Sequence, residues 1–247
     1  MLERDRVGIV VQARMGSTRL TGKVLRPIQG KALLCRLCDR VRLSRRADTV
    51  VVAASVNPAD QEIEEACRSW GIAVFRGPEK DLTTRLLGAA RTFELTALVR
   101  VTADNPLTDP AGIDRLIEIF EQEKPGLVYN GQESGYPHGT AAELMAVAVL
   151  ENYDRELISP DDRELVFSIA RSQSERYRCI EVDAPPEVFR PQYCLSVDYP
   201  EDLELMNVIY GHFGGRDDVR LSEIIQFLDA NPSVAGLNTH LHINQIR

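Results

Sequence analysis

Short apolar runs alternate with amphipathic stretches along the first 130 residues, and this alternation constrains the fold more than any other feature. Val7 to Val11 is an apolar run of the kind that buried parallel strands show. Leu34, Leu37, Cys38 and Val41 then recur at helical spacing. Thr49 to Ala54 is a second strand, and Pro58 suits the first turn of a helix striped by Ile63, Ala66, Cys67 and Trp70. Ile72 to Phe75 is a third strand, followed by a helix carrying Leu82, Leu86, Ala89 and Phe93. Thr96 to Val101 is a fourth, and Asp109-Pro110 opens a helix with Ile113, Leu116, Ile117 and Phe120 on one face. Leu127 to Tyr129 is a fifth. Strands and helices in this order predict an α/β fold: a mostly parallel, Rossmann-like sheet with helices on both faces. Such sheets bind ligands outside the carboxyl ends of their strands, so the loops after strands one, two and four are where chemistry is expected.

The remainder is more mixed. Glu143 to Val149 and Arg176 to Val182 read as strands, and Pro160 to Arg171 as a helix. Gln192 to Val197 reads as a strand feeding a helix at Pro200, and Leu221, Ile224, Ile225 and Leu228 stripe a last helix. No low-complexity linker divides the 247 residues, so the expectation is one domain over 1–230 with an extension over 231–247. No apolar run approaches the ~20 residues of a membrane helix. The charged start, Met1 to Arg6, is not the pattern of a secretory signal. Five cysteines are too few for a disulfide scaffold and point to a reducing cytoplasm. Cys35 and Cys38 fall inside a helix and are expected to pack. The pair His240 and His242 is expected at the surface.

The net charge of −8 disfavours binding to a nucleic-acid backbone. It is unevenly spread: residues 1–46 hold 12 Lys and Arg against 3 Asp and Glu. A basic start on an acidic chain suggests a small anionic ligand. Arg36, Arg40, Arg42, Arg45 and Arg46 are expected to solvate one helix and its end. The remaining positive charge gathers in the loop after the first strand, Gln12-Ala13-Arg14-Met15-Gly16-Ser17-Thr18-Arg19-Leu20-Thr21-Gly22-Lys23. Within twelve residues it offers two glycines, two arginines, a lysine and hydroxyl groups. Backbone N–H groups beside glycine approach phosphate oxygens closely, Arg grips them with a planar fork and Lys as a compact charge. The chain has only four lysines, so Lys23 stands out. The order of residues is neither a Walker loop nor a Rossmann glycine turn.

This loop resembles the N-terminal motif of the cytidylyltransferases, most like the group named after spore coat polysaccharide biosynthesis protein F and related to the CMP-Kdo and CMP-sialic acid synthetases. The resemblance continues at Val74-Phe75-Arg76-Gly77 with Asp81-Leu82 and Arg85, and at Arg100-Val101-Thr102-Ala103-Asp104-Asn105-Pro106-Leu107. It recurs at Tyr136-Pro137-His138-Gly139 and at Ser196-Val197-Asp198-Tyr199-Pro200-Glu201-Asp202-Leu203. It implies a sheet of the nucleotide-diphospho-sugar transferase type and a Mg²⁺-dependent transfer of CMP from CTP, with release of pyrophosphate. Arg14, Arg19 and Lys23 would hold the phosphates, with Asp104 the fourth catalytic residue. Nucleotide binding would involve Gln12, Ala13, Gly16, Ser17, Thr18, Ser55, Arg76, Asp81, Arg85 and Thr102. Asp104 and Asp198 would supply the hard oxygen ligands that Mg²⁺ requires. His138, Glu143 and Arg163 would face the acceptor.

The acceptor half departs more from the family than the nucleotide half. Thr21 replaces a usual Pro, Ala103 and Asn105 replace Gly and Cys, Thr140-Ala141-Ala142-Glu143 replaces a Leu-Asp-x-Glu pattern, and Leu165 replaces a His. The acceptor is therefore left as a small acidic sugar or a phosphate-bearing molecule, with surface glycan or polysaccharide synthesis the implied setting. The losses at Ala141 and Leu165 lean towards an already ionised phosphate or phosphonate, which Arg163, Arg171 and Arg190 would greet. Expected partners are CTP and a small-molecule acceptor, with no nucleic acid and no membrane; a homodimer is left open. Two alternatives stand beside this reading: a glycosyltransferase using a nucleotide-sugar donor, and a silent nucleotide-binding protein. The first would want a second carboxylate beside Asp104, where the chain has Asn105-Pro106.

Overall fold

The computed structural model describes residues 5–17 and 19–242. The chain opens with β1 (Val7–Gln12), the long basic loop, and a small hairpin of β2 (Pro27–Ile28) and β3 (Lys31–Ala32). Then follow α1 (Leu33–Val41), β4 (Thr49–Ser55), α2 (Gln61–Ser69), β5 (Ala73–Gly77), α3 (Leu82–Thr92), β6 (Ala97–Thr102), α4 (Pro110–Glu123) and β7 (Leu127–Tyr129). The second half holds β8 (Glu143–Ala146), α5 (Val147–Glu156), α6 (Pro160–Glu164), α7 (Val166–Ser172), α8 (Ser174–Tyr177), β9 (Cys179–Glu181), α9 (Pro200–His212), α10 (Leu221–Ala230) and α11 (Pro232–Ala235).

Seven strands form one sheet in the order β5-β4-β1-β6-β8-β7-β9. The first four are parallel, with β1 central between β4 and β6; β8 runs antiparallel to β6 and β7, and β9 parallel to β7. Alternation along each strand sorts the core. Val7, Ile9 and Val11 face the side covered by α1, α2 and α4, whereas Val10, Ala53 and Leu98 face α3, α5 and α7. A third apolar cluster lies apart from these two: α9 and α10 pack Leu205, Ile209, Ile224 and Ile225 around Ile28, Leu107, Leu195 and Val197. No helix among the described residues is long and apolar enough to cross a membrane.

Five expectations are corrected. Gln192 to Val197 is not a strand; it is an extended segment with a single bridge, His138 to Cys194, because Leu195 and Val197 are buried against helices of the third cluster. The apolar stretch from Glu143 leaves the sheet at Ala146 and turns into α5, whose Val149, Leu150 and Tyr153 repeat at helical spacing into the core. The helix expected over 160–171 breaks at Leu165 into α6 and α7, and β9 is shorter than the stretch expected to form it. Two of the five arginines around α1 are not solvated. Arg36 is 3% and Arg40 1% exposed. Arg36 donates to the Ile28 and Gly215 carbonyls and pairs with Asp217. Arg40 donates to the carbonyls of Thr108, Asp217 and Val219. These forks stitch α1 to the approach of α10 by satisfying backbone carbonyls.

Candidate active site

The carboxyl ends of β1 and β6 open into a cleft of about 310 Å³ lined by Gln12, Arg14, Gly16, Ser17, Arg19, Lys23, Thr102, Asp104 and Asp198. Gly22 takes a left-handed φ of 65°, which turns the chain into the short 3-10 segment that begins at Lys23. The side chain is 9% exposed by residue, yet it is not stranded. Lys23 Nζ donates to Asp104 Oδ2 and to Asp198 Oδ1, each at 2.8 Å. Arg19 Nη2 meets the other oxygen of Asp198 at 2.8 Å, and its guanidinium lies 5.2 Å from the centre of the Tyr199 ring. Thr102 Oγ1 donates to Asp104 Oδ1 at 2.7 Å, and Asn105 donates to Thr102 in turn.

The charges answer one another. Burial opposes the Lys23 charge, but the Asp104 and Asp198 carboxylates outweigh it and hold the ammonium above its ordinary pKa. Burial likewise opposes the Asp198 charge, and Lys23 with Arg19 pulls that carboxyl below its ordinary value. Both carboxylates lie within hydrogen-bond reach of one cation, the Lys23 ammonium. Among the described residues no group of three or more His, Cys, Asp or Glu could hold a metal. A hard divalent ion here would take these two carboxylates and fill its shell from phosphate oxygens and water.

A second cleft of about 450 Å³ adjoins the first and shares Thr102 with it. His138, Asn105, Tyr129, Glu143 and Arg171 are among its lining residues. Glu143, buried, is paired with both Arg100 and Arg171. Arg171 lies over the Tyr129 ring, at 5.5 Å from its centre. Burial lowers the pKa of His138 against the pull of Asp104, so its imidazole favours the neutral form.

Of the residues singled out in the sequence, the structure gathers Gln12, Arg14, Gly16, Ser17, Arg19, Lys23, Thr102, Asp104 and Asp198 in the first cleft, and His138 and Glu143 in the second. Thr18 lies outside the described residues. Six others lie outside both clefts. Ala13 is buried, its N–H bonded to the Ala53 carbonyl. The Ser55 hydroxyl is consumed by Asp60, and Arg76 is spent on the carbonyls of Ser55 and Asn57 and on Glu64. Asp81 caps α3 through the Thr84 N–H and pairs with Arg163. Arg163 also pairs with Asp154 and donates to the carbonyls of Asp154 and Leu157, which fixes the turn between α5 and α6. Arg85 is 1% exposed and donates to the carbonyls of Pro78 and Glu79. Arg190, named as a further anion contact, pairs with Asp229.

The sequence reading missed the roles of three residues. Buried Asp60 accepts from the N–H groups of Met15 and Ser55, tying the basic loop to the loop after β4. Buried Asp202 accepts from the N–H groups of Asp198 and Tyr199, both at 2.8 Å. His242, expected at the surface, is 1% exposed and bonded to Asp202. Asp60 and Asp202 each fall near a helix start, where a sequence offers only the signal of an ordinary cap. His242 sits 40 residues from its partner and offered no signal.

The sequence model of the family described as cytidylyltransferase matches residues 8–214. The chain is 34% identical over 231 residues to the spore coat polysaccharide biosynthesis protein SpsF of Bacillus subtilis (strain 168), covering 92% of this chain and 95% of that one. Over 119 residues it is 39% identical to a 3-deoxy-manno-octulosonate cytidylyltransferase of Marinobacter nauticus, a match that covers 46% of this chain and 44% of the other. A solved cytidylyltransferase from Leptospira borgpetersenii superposes with a TM-score of 0.87 at 29% identity, over 94% of this chain and 97% of that chain.

Proposed function

The chain belongs to the cytidylyltransferase family, and we propose that it transfers CMP from CTP to a small acidic sugar or phosphate-bearing acceptor, releasing pyrophosphate, for polysaccharide synthesis. The observation that carries this reading is Lys23 bridging Asp104 and Asp198 at the end of the central strands, beside Arg14 and Arg19. Similarity to proteins named for spore coat polysaccharide biosynthesis and for 3-deoxy-manno-octulosonate supports both the nucleotide and the pathway class.

On this reading the first cleft takes the triphosphate. Arg14, Arg19 and Lys23 hold the phosphate oxygens, Arg by paired N–H groups and Lys by charge. Asp104 and Asp198 would hold Mg²⁺, which when bound would supply Lewis-acid neutralisation of phosphate charge. The second cleft, opening beside Thr102, holds the acceptor. An acceptor oxygen attacks the α-phosphorus, a hydroxyl giving its proton to the neutral His138 imidazole and a phosphate arriving already ionised, and the bond to the bridging oxygen breaks with its electron pair leaving on pyrophosphate. The cations of the basic loop stabilise the charge that grows there, which is worth most in a pre-organised and partly dry site.

The test is pyrophosphate release with CTP and Mg²⁺ over acidic sugars, sugar phosphates, polyol phosphates and phosphonates, with ATP, GTP and UTP as competing nucleotides. We expect turnover with CTP, and a fall of about 10²-fold or more in Lys23→Ala. Absence of CTP binding by calorimetry, or a folded Lys23→Ala variant with parental kinetics, would overturn the assignment.

A further inference from the structure

The segment that carries Asp198 has little of its own to hold it. It is not part of the sheet; among the described residues its backbone bridges Cys194 to His138, and the Val197 N–H donates to the Asp104 carbonyl at 2.8 Å. At its far end the backbone is held by Asp202, fully buried in the first turn of α9. One oxygen of Asp202, Oδ2, takes the N–H groups of Asp198 and Tyr199. The other, Oδ1, takes Asn238 Nδ2 at 2.7 Å and His242 Nε2 at 2.8 Å. A carboxylate only accepts, so all four contacts are donated to it and the imidazole carries its proton on Nε2. Asn238 is itself fixed by a second bond to the Cys194 carbonyl, within the same segment. The His242 ring stands edge-on to Tyr199, whose ring also meets the Arg19 guanidinium.

We propose that Asn238 and His242 act as positioning residues for the nucleotide cleft: by fixing Asp202 they fix the backbone of Asp198, and through it the carboxylate that Lys23 and Arg19 engage. Asn238 and His242 thereby support the site, although neither lines a cleft. The inference rests on the reading of Asp198 as a metal–nucleotide ligand. A buried carboxylate that loses two of its four donors relaxes towards whatever donors remain, and the loop it holds relaxes with it. Distances near a hard-oxygen ligand tolerate little of this, because supporting contacts set ligand orientation and affinity.

The test compares the parent with Asn238→Ala/His242→Phe, which removes both donors and keeps an aromatic ring at 242. His242→Gln supplies a replacement donor. Leu237→Ala trims a half-buried side chain of the third cluster and leaves the donors in place. Affinity for Mn²⁺ in the presence of CTP is read by electron paramagnetic resonance, and melting temperature is read in parallel. We expect the double variant to bind Mn²⁺ at least about tenfold more weakly, His242→Gln to stay near the parent, and Leu237→Ala to lose stability without losing affinity. In a ligand-free crystal structure of the double variant, Asp198 should have left Lys23. An Asp198 carboxylate still on Lys23, parental Mn²⁺ affinity in the folded double variant, or an equal affinity loss in Leu237→Ala would each overturn the inference. A parent that fails to bind Mn²⁺ with CTP would overturn the ligand reading instead, and the crystal structure would then judge the positioning claim by itself. Should the double variant not fold, His242→Phe takes its place with the same readouts.

Discussion

Lys23 and His138 show how a few side chains divide the work between two neighbouring clefts. The lysine is kept charged by two carboxylates, whereas burial keeps the histidine neutral although Asp104, Asp198 and Asp202 pull the other way and His242 adds to the lowering. A neutral imidazole facing the acceptor cleft is suited to hydrogen-bonding or accepting a proton from an acceptor hydroxyl. Its depressed pKa also makes a stability statement. The folded state resists protonation, so the unfolded chain binds more protons and stability is lost as pH falls below the ordinary histidine value of 6.5 and through the folded value. We expect an NMR titration of His138 with a midpoint below 6.5, and a flatter loss of urea stability on acidification in His138→Gln than in the parent. A midpoint above 6.5 would contradict the account.

Among elements, the turn at Gly139 carries the most consequence. Its φ is 88°, and a Cβ there would stand 2.4 Å from the backbone nitrogen of Ser196. The turn therefore lies against the segment that leads to Asp198, and His138 forms its bridge to Cys194 from the adjoining position. Gly139→Ala should cost at least about 1–3 kcal/mol in urea unfolding, since a disfavoured φ and a backbone clash act together. It should weaken CTP binding as well, because the segment displaced is the one that presents Asp198. Parental stability would mean that the turn can open without penalty. The sequence signalled this region unevenly. Apolar runs and helical stripes made β1, β4 to β7 and the helices between them legible, because burial on both faces imposes its own pattern. The segment at 192–197 has the same apolar content but meets helices, and composition alone does not say which neighbour covers it. Similarly, Arg19 and Lys23 were legible from charge and position and Asp104 and Asp198 from the family resemblance, whereas Arg76, Asp81, Arg85 and Arg163 are bound to carbonyls, caps and partner charges near the site. A motif names residues without saying which of them face the cavity.

Across the whole molecule, the sheet with its two helical layers and the third apolar cluster are joined by the buried forks of Arg36 and Arg40. Arg40 reaches Thr108 beside α4 and the carbonyls of Asp217 and Val219 just before α10. Lysine cannot reproduce that fork, and carbonyls left without donors in a buried place are costly. Arg40→Lys should destabilise the protein by about 2 kcal/mol or more in urea unfolding. A loss within ~0.5 kcal/mol, the range of ordinary surface changes, would assign Arg40 no joining role.

Asp104 follows a strand of the sheet, while Asp198 precedes a helix of the third cluster, and Lys23 spans the two. Whatever occupies the cleft therefore closes a seam between separately packed masses, and its binding energy is felt by the fold as mortar is felt by a wall. Mass action gives the size: a ligand at a hundred times its dissociation constant adds about 2.7 kcal/mol to the folded state. Melting temperature should climb with CTP and Mg²⁺ supplied together, and the climb should vanish in Asp198→Asn. A parental climb in that variant would show that the seam is closed by something other than the paired aspartates.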